Sequence, residues 1–258
     1  MRNRRPLARG LLPLAFWLLV WHGAVWYLEN IQGIRTEFIL PAPLTVLTTL
    51  VSLAGEGEFW LTALATLGRI FAGLLGGVAV GTVLAVLTQS FAWADWIFSP
   101  AVRVIRATPV ASFILLIILW APTGRVPAIV AALMVLPVVW GNVSRGIAQT
   151  DPLLLEAGKA YRFSRWKTVR LIYIPSVLPY FASACHTALG LAWKAGVAAE
   201  VLCVPKRAIG TQVYFSKIYL ETQDLFAWTL VVIVLSFLLE RGLGALLGRL
   251  EGGNTHAG

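Results

Sequence analysis

The amino-acid sequence predicts an all-α membrane protein with six transmembrane helices. Of its 258 residues, 58% are hydrophobic and 13% are charged, and the mean hydropathy is +0.78. Soluble domains usually contain about 25% charged residues. The apolar runs do not alternate with polar residues at a period of two, which the strands of a membrane-spanning barrel require. The spans are therefore expected to be helices.

Each predicted span is an apolar run of about the length that crosses a bilayer, roughly 17 to 25 residues. The runs are residues 11–28, 59–88, 108–121, 126–144, 176–203 and 224–247. They predict one transmembrane domain over residues 1–258, with its core at 59–247. In the third run the strongly apolar residues begin only after Pro109, and the approach to it is SPAVRVIRATP. Short or proline-interrupted spans often border a transport path.

The N-terminus, MRNRRPLARGLLPLAFWLLVW, has the basic and apolar parts of a signal peptide. The HGAVWYLEN that follows offers no convincing small-x-small cleavage site. We therefore expect this segment to be retained as the first transmembrane helix.

The lysines and arginines predict the orientation in the cell membrane, because they accumulate in short cytoplasmic loops. With the N-terminus inside, the only basic residues in outer segments are Arg35, Arg125, Lys206, Arg207 and Lys217. Both termini and the segment 150–175 are then cytoplasmic. The net charge of +9 is explained by this sorting and by contact with anionic lipid, so no nucleic-acid partner is expected.

The chain carries no pattern of a metal centre or an enzyme. Cys185 and Cys203 are 18 residues apart on one predicted helix, about 27 Å, too far for a disulfide. Neither His22 nor His186 has another ligand at metal-binding spacing. A phosphate-binding G-x-x-x-x-G-K-[ST] loop, a serine elbow and H-E-x-x-H are all missing. We therefore expect no metal, no cofactor and no ATP hydrolysis in this chain itself.

The cytoplasmic segment 150–175 predicts two short helices joined by a turn. Thr150 or Asp151 is placed to cap the first helix, with Pro152 in its first turn, and Ser164 to cap the second, which stops before Pro175. One face of the first helix collects its apolar side chains: Leu153, Leu154, Ala157 and Tyr161. Amphipathicity alone leaves two alternatives open, a helix lying on lipid or one that docks a partner.

The sequence of this segment resembles a known signature. Glu156, Ala157 and Gly158, followed by the run that ends at Pro175, resemble the E-A-A-x-x-x-G-x9-I-x-L-P motif of permease subunits of binding-protein-dependent ABC importers. The resemblance implies a coupling helix that sits in a groove of the ATP-binding subunit. The residues it assigns to coupling are Leu154, Glu156, Ala157, Gly158, Tyr161 and Arg162. Arg162 replaces the motif glycine, so we expect a left-handed turn there to be less favourable.

Three further stretches, LPAPLTVLTTL, GRIFAGLLGGVAVG and ALGLAWKAGVAAE, resemble the nitrate, sulfonate and taurine group of these permeases. The resemblance implies a type I importer fold, an ATP-binding subunit that holds ATP and Mg, an external substrate-binding protein, and a second permease copy. The implied solute is nitrate, a sulfonate such as taurine, or bicarbonate, with an aromatic vitamin precursor as the alternative. A stand-alone channel or secondary transporter is less favoured, since we find neither internal repeats nor coupling-ion carboxylates at the midplane.

Ionisable residues inside spans mark candidate path positions, because they face the bundle interior, a counter-charge or water. Arg69 lies about 15 Å from the outer end of its span and Lys194 about 14 Å from Cys203. For Arg69 an internal ion pair is favoured over a path role. Lys194 is the better specificity candidate, and Trp193 and His186 on the same helix complete the candidate substrate path. Glu200 does not share a helical face with Lys194, so they are not expected to pair.

Glycines on the second span predict close helix packing. Gly73, Gly77 and Gly81 recur every four residues, so they lie on one face of a helix. Small residues at this spacing allow the backbone of another helix to approach. We therefore expect this face to pack against a neighbouring span.

Overall fold

The computed structural model describes residues 5–33 and 35–252, and every regular element within them is helical. This confirms the predicted all-α class. The helices are α1 (Arg5–Asn30), α2 (Pro43–Ala54), α3 (Gly57–Ser90), α4 (Ala92–Ala107), α5 (Val110–Ile118), α6 (Val126–Ala148), α7 (Pro152–Ala160), α8 (Arg165–Thr168), α9 (Ile174–Cys203), α10 (Ile209–Ile218) and α11 (Thr222–Gly252). A 3-10 turn covers Thr36–Phe38, and a π turn, Val169–Tyr173, joins α8 to α9. The terminal residues 1–4 and 253–258, which the orientation prediction places in the cytoplasm, lie outside the described residues.

Within the described ranges, three helices are long and apolar enough to cross a membrane. They are α3, α6 and the Thr222–Ala245 part of α11, and α4 with α5 would add a fourth span if the two are counted together. Helices α1 and α9 contain 26 and 30 residues, which is sufficient length for a span, but neither belongs to that most apolar set. The multi-pass membrane class is confirmed, whereas the count of six spans and the single-domain boundary stay predictions.

The predicted third span is not one continuous helix. The axes of α4 and α5 meet at 105°, and the break lies at Thr108 and Pro109. Thr108 is extended, with ψ of 132°, because the proline ring excludes the helical conformation from the residue before it. Helix α5 has nine residues, about 13 Å. This is under half of the roughly 30 Å hydrocarbon core, so the run 108–121 does not cross as a straight helix.

The centre of the structure is the packing of α6 between α3 and α9, and it depends on the glycine stripe of α3. A Cβ atom added at Gly77 would lie 2.6 Å from the carbonyl oxygen of Ala132 and 2.7 Å from Cβ of Val135. A Cβ at Gly81 would lie 2.8 Å from the carbonyl oxygen of Leu136. The backbones of α3 and α6 are therefore in direct contact, which confirms the predicted packing face.

We expect Gly77→Ala to lower the free energy of unfolding by about 1–3 kcal/mol, because the added methyl group forces the two helices apart. Gly76→Ala is the matched control, since a Cβ at Gly76 meets nothing within 4 Å. That substitution should be neutral or stabilising by up to about 1 kcal/mol through helix propensity. Thermal unfolding of the detergent-purified protein measures both. Equal melting temperatures for the two variants would contradict the close approach of α3 and α6.

Candidate coupling segment and translocation path

The two short helices of the segment 150–175 begin at capping residues. The carboxylate of Asp151 accepts a hydrogen bond from the backbone N–H of Leu153 at 2.8 Å, and Pro152 occupies the first turn of α7. The hydroxyl of Ser164 accepts from the backbone N–H of Lys167 at 3.3 Å, at the start of α8. Such bonds satisfy N–H groups that have no partner within the helix. Both predicted helix starts are confirmed, with Asp151 rather than Thr150 as the first cap. The predicted stop before Pro175 is wrong, because the helical turns continue from α8 through the π turn into α9, where Pro175 fits in the first turn.

The turn after α7 is left-handed despite the arginine at its centre. Arg162 has φ of +52°. The N–H of Phe163 donates to the carbonyl of Gly158 at 2.8 Å, and the N–H of Arg162 donates to that of Lys159 at 3.0 Å. This bond pair is the Schellman motif that ends many helices. The prediction that arginine disfavours this geometry is wrong here, since the two bonds offset the cost of about 1–2 kcal/mol for a non-glycine residue.

Gly158 connects α7 to the start of α9. It is buried, and a Cβ at this position would lie 3.1 Å from Cδ1 of Ile172. Ile172 belongs to the π turn, which continues without a break into α9. An alanine at position 158, as in the motif, would have to displace the Ile172 side chain. The side chain of Ile172 thus packs against α7 at Gly158, next to the start of α9.

A cavity lies beside the π turn. Its volume is about 540 Å³. The apolar lining comes from the C-terminal ends of α3 and α6, from the π turn and from the first turns of α9. It includes Val86, Ile147, Tyr173 and Phe181. Unusual π turns are common at functional sites. The N-terminal end of α9 is therefore less tightly packed than its middle, where Trp193 is 1% exposed.

The apolar face of α7 is uncovered in the isolated chain. Leu153 is 71% exposed, and Leu154 and Tyr161 are 48% and 78% exposed. Glu156 and Ala157 are also exposed. Large apolar side chains gathered on one exposed face are typical of an interaction surface. Of the six predicted coupling residues, only Gly158 faces the protein interior.

Arg69 forms a buried ion pair with Glu200. Nη2 and Nε of Arg69 donate to Oε1 of Glu200 at 2.9 and 3.1 Å, and the Glu200 side chain is fully buried. The hydroxyl of Thr66 and the N–H of Gly210 donate to Oε2 at 3.0 and 3.2 Å. Both oxygens of the buried carboxylate on α9 therefore accept hydrogen bonds from donors on α3 and α10. Sequence reasoning favoured an ion pair for Arg69 but did not identify Glu200, 131 residues away.

The same arginine holds the loop between α9 and α10. Nη2 of Arg69 donates to the carbonyl oxygen of Arg207 at 2.7 Å. Two non-glycine residues of this loop have left-handed backbones, Val204 with φ of 47° and Arg207 with φ of 51°. A β-branched residue in this conformation is a genuine outlier that costs free energy. Arg69 therefore stabilises a strained connection at the C-terminal end of α9.

The predicted path residues divide between the core and an exposed face of α9. Lys194 and His186 are exposed, and with Ser183 and Thr187 they form a polar stripe at the spacing of one helical face. Trp193 lies in the core instead, where its Nε1 donates to the carbonyl oxygen of Val232 in α11 at 3.2 Å. Arg69 is engaged by Glu200. The structure therefore places Lys194 and His186 on one exposed face of α9, about 12 Å apart along its axis, whereas Arg69 and Trp193 face the protein interior.

Residues 77–251, which contain the α3–α6 interface, the coupling segment and α9, match the family described as binding-protein-dependent transport system inner membrane component. The chain belongs to this family. It is the permease subunit of an ABC importer and a multi-pass protein of the cell membrane. Permeases of this family are transport subunits rather than enzymes, and they work with ATP-binding and substrate-binding subunits.

The permease is similar to two curated proteins of Escherichia coli (strain K12). It is 28% identical over 261 residues to the taurine transport system permease protein TauC, covering 97% of this chain and 92% of TauC. It is 28% identical over 247 residues to the putative aliphatic sulfonates transport permease protein SsuC, covering 95% of this chain and 89% of SsuC. These similarities place the permease in the taurine, sulfonate and nitrate group, as the sequence motifs predict.

The fold of the permease is that of solved ABC importers. A crystal structure of a bacterial ABC transporter involved in the import of the acidic polysaccharide alginate superposes with a TM-score of 0.63. The match covers 96% of this chain and 99% of that chain at 16% sequence identity. At this identity the likeness concerns the fold alone.

Proposed function

We propose that this permease forms the translocation path for a small anionic solute, such as taurine or another sulfonate, nitrate or bicarbonate. The observation that carries the proposal is Lys194 on the polar face of α9. An ammonium group inside a span costs several kcal/mol unless it meets water or an opposite charge. Within the described residues no carboxylate lies within 4.0 Å of it. A water-filled path through which anions pass accounts for the position of Lys194. The names of TauC and SsuC, which refer to taurine and aliphatic sulfonates, agree with an anionic solute.

The path is completed by a second copy of the permease. The stripe of Ser183, His186, Thr187 and Lys194 is exposed in the isolated chain, and polar side chains of spans avoid lipid. A second copy facing this stripe encloses it between two α9 helices. A substrate-binding protein delivers the solute from outside, in keeping with the family.

The segment 150–175 couples the path to ATP hydrolysis. In this proposal both termini are cytoplasmic, and the exposed face of α7 docks in the ATP-binding subunit, which holds ATP and Mg. When nucleotide binding moves that subunit, α7 moves with it. The contact between Gly158 and Ile172 passes the displacement through the π turn into α9, which carries Lys194.

We expect Lys194→Met to reduce taurine uptake by about tenfold or more, because a hydrogen bond to a charged group contributes about 1.5–3 kcal/mol. The measurement is uptake into liposomes that contain the permease, its ATP-binding subunit and its binding protein. Lys194→Arg keeps the charge and should retain part of the uptake. The matched control is Lys217→Met, which removes an exposed lysine of α10 and should leave uptake unchanged. Uptake at the wild-type rate by Lys194→Met would refute the proposed path.

A further inference from the structure

A second ionisable side chain inside the spans has no role in the proposal so far. Glu240 lies within the Thr222–Ala245 part of α11 and is half-buried. Among the residues whose side chains the structure describes, no lysine, arginine or histidine lies within 4.0 Å of its carboxylate. Carboxylates in spans are rare, and they usually mark a substrate or ion pathway or pair with a cation. Glu240 is therefore expected to interact with a cation or to border a solute pathway.

The carboxylate of Glu240 lies against α9 at Gly190. An idealised Cβ on Gly190 would be 3.6 Å from Oε1 of Glu240, so the carboxylate occupies the surface that a side chain would otherwise cover. Gly190 is four residues before Lys194, which puts them on one helical face about 6 Å apart along the axis. The negative charge thus lies one turn from the lysine.

The directions of the two helices favour an approach of the two charged groups. Trp193 contacts Val232, whereas Gly190 contacts Glu240, so α9 and α11 run antiparallel. Helical side chains lean toward the N-terminus of their own helix. A lysine at position 194 is therefore expected to extend toward the level of Gly190, beside which the carboxylate lies.

We propose that Glu240 becomes the counter-charge of Lys194 in the empty path of the assembled importer, and that the anionic solute displaces Glu240 from Lys194 when it binds. In the isolated chain the two charged groups are more than 4.0 Å apart. The inference rests on the proposed function, because it takes Lys194 as the anion site. The pair neutralises the ammonium when no solute is present. Competition between the two anions also weakens solute binding, which favours release on the inner side.

The pairing is tested without solute by the melting temperatures of the permease bound to its ATP-binding subunit. Lys194→Met and Glu240→Gln should each lower the melting temperature, since each leaves one charge without its partner. The double variant should recover most of the loss, because no unpaired charge remains. Arg241→Gln removes an exposed charge next along α11 and should show no such coupling to Lys194→Met. Additive losses in the Lys194 and Glu240 variants would overturn the pairing.

The competition is tested by equilibrium binding of radiolabelled taurine to the same complex, without the binding protein. Glu240→Gln should tighten binding by about fivefold or more, the range of typical coupling between sites, and Arg241→Gln should not. Wild-type affinity in Glu240→Gln would overturn the displacement. If the wild-type complex binds none of taurine, nitrate and bicarbonate, the proposed solute and the displacement both fail. The melting temperatures still decide the pairing in that case, so the two failures are distinguishable.

Discussion

Arg69→Met should destabilise the permease by about 3–5 kcal/mol, because it leaves the fully buried Glu200 carboxylate without its cation. A loss of this size is a large part of the roughly 5–15 kcal/mol that stabilises a folded domain. The variant also loses the bond to the carbonyl oxygen of Arg207, which holds the strained loop before α10. We expect little folded protein after detergent extraction, measured by size-exclusion chromatography and thermal unfolding.

A second ion pair of the permease supplies the matched control. Arg207 and Glu58 are joined by a bond of 2.9 Å, but their side chains are 60% and 54% exposed. Exposed pairs contribute about 0–1 kcal/mol, so Arg207→Met should leave the melting temperature almost unchanged. The double variant Arg69→Met with Glu200→Gln should recover much of the loss, because the glutamine oxygen still accepts from Thr66 and Gly210. A melting temperature for Arg69→Met equal to that of Arg207→Met would show that the buried pair is dispensable.

Ala157→Arg should abolish ATP-driven uptake while the permease itself stays folded in the membrane. Ala157 is exposed at the centre of the apolar face of α7, so the arginine does not disturb the packing of the permease. In the proposed interface the introduced arginine would be buried without a counter-charge. A change at the centre of an interface can cost about 2 kcal/mol or more of binding free energy, which corresponds to about 30-fold weaker docking. Co-purification with the ATP-binding subunit, ATP hydrolysis and uptake are the measurements, and Glu156→Arg should behave in the same way.

Lys159→Glu controls for the change of charge on this helix. Lys159 is exposed and points away from the apolar face of α7, so uptake should persist in this variant. Normal uptake by both Ala157→Arg and Glu156→Arg would show that the segment does not dock the ATP-binding subunit. If Ala157→Arg, Glu156→Arg and Lys159→Glu were all missing from the membrane, α7 would instead be needed for folding.

The features that depend on neighbouring residues were predictable from the sequence. The caps at Asp151 and Ser164 follow from side chains that bond to N–H groups two or three positions ahead. The face of Gly73, Gly77 and Gly81 follows from the helical period alone. The apolar composition of each run determines that it forms a helix in lipid, since no other donor or acceptor is available to its backbone. The motif around Glu156 indicated the family, the permease subunits of binding-protein-dependent ABC importers.

The turn at Arg162 and the break at Pro109 show where local rules compete. Glycine is preferred where φ is positive, yet two hydrogen bonds and the packing beneath the turn keep Arg162 at +52°. The apolar run after Pro109 has the composition of a span, but the proline separates α4 from α5 and the packing of both against the bundle sets their 105° angle. Neither the backbone conformation of Arg162 nor the angle between α4 and α5 can be predicted from a few consecutive residues.

The sequence by itself determined that the chain is helical, lies in a membrane, belongs to the importer permeases and carries charges within its spans. Only the tertiary structure decided the surroundings of those charges: Arg69 binds Glu200 across 131 residues, and the carboxylate of Glu240 lies beside Gly190, a position one turn before Lys194. The physical reason is that hydropathy and capping act over a few consecutive residues. The partner of a charge depends instead on how distant helices rotate and tilt when they pack.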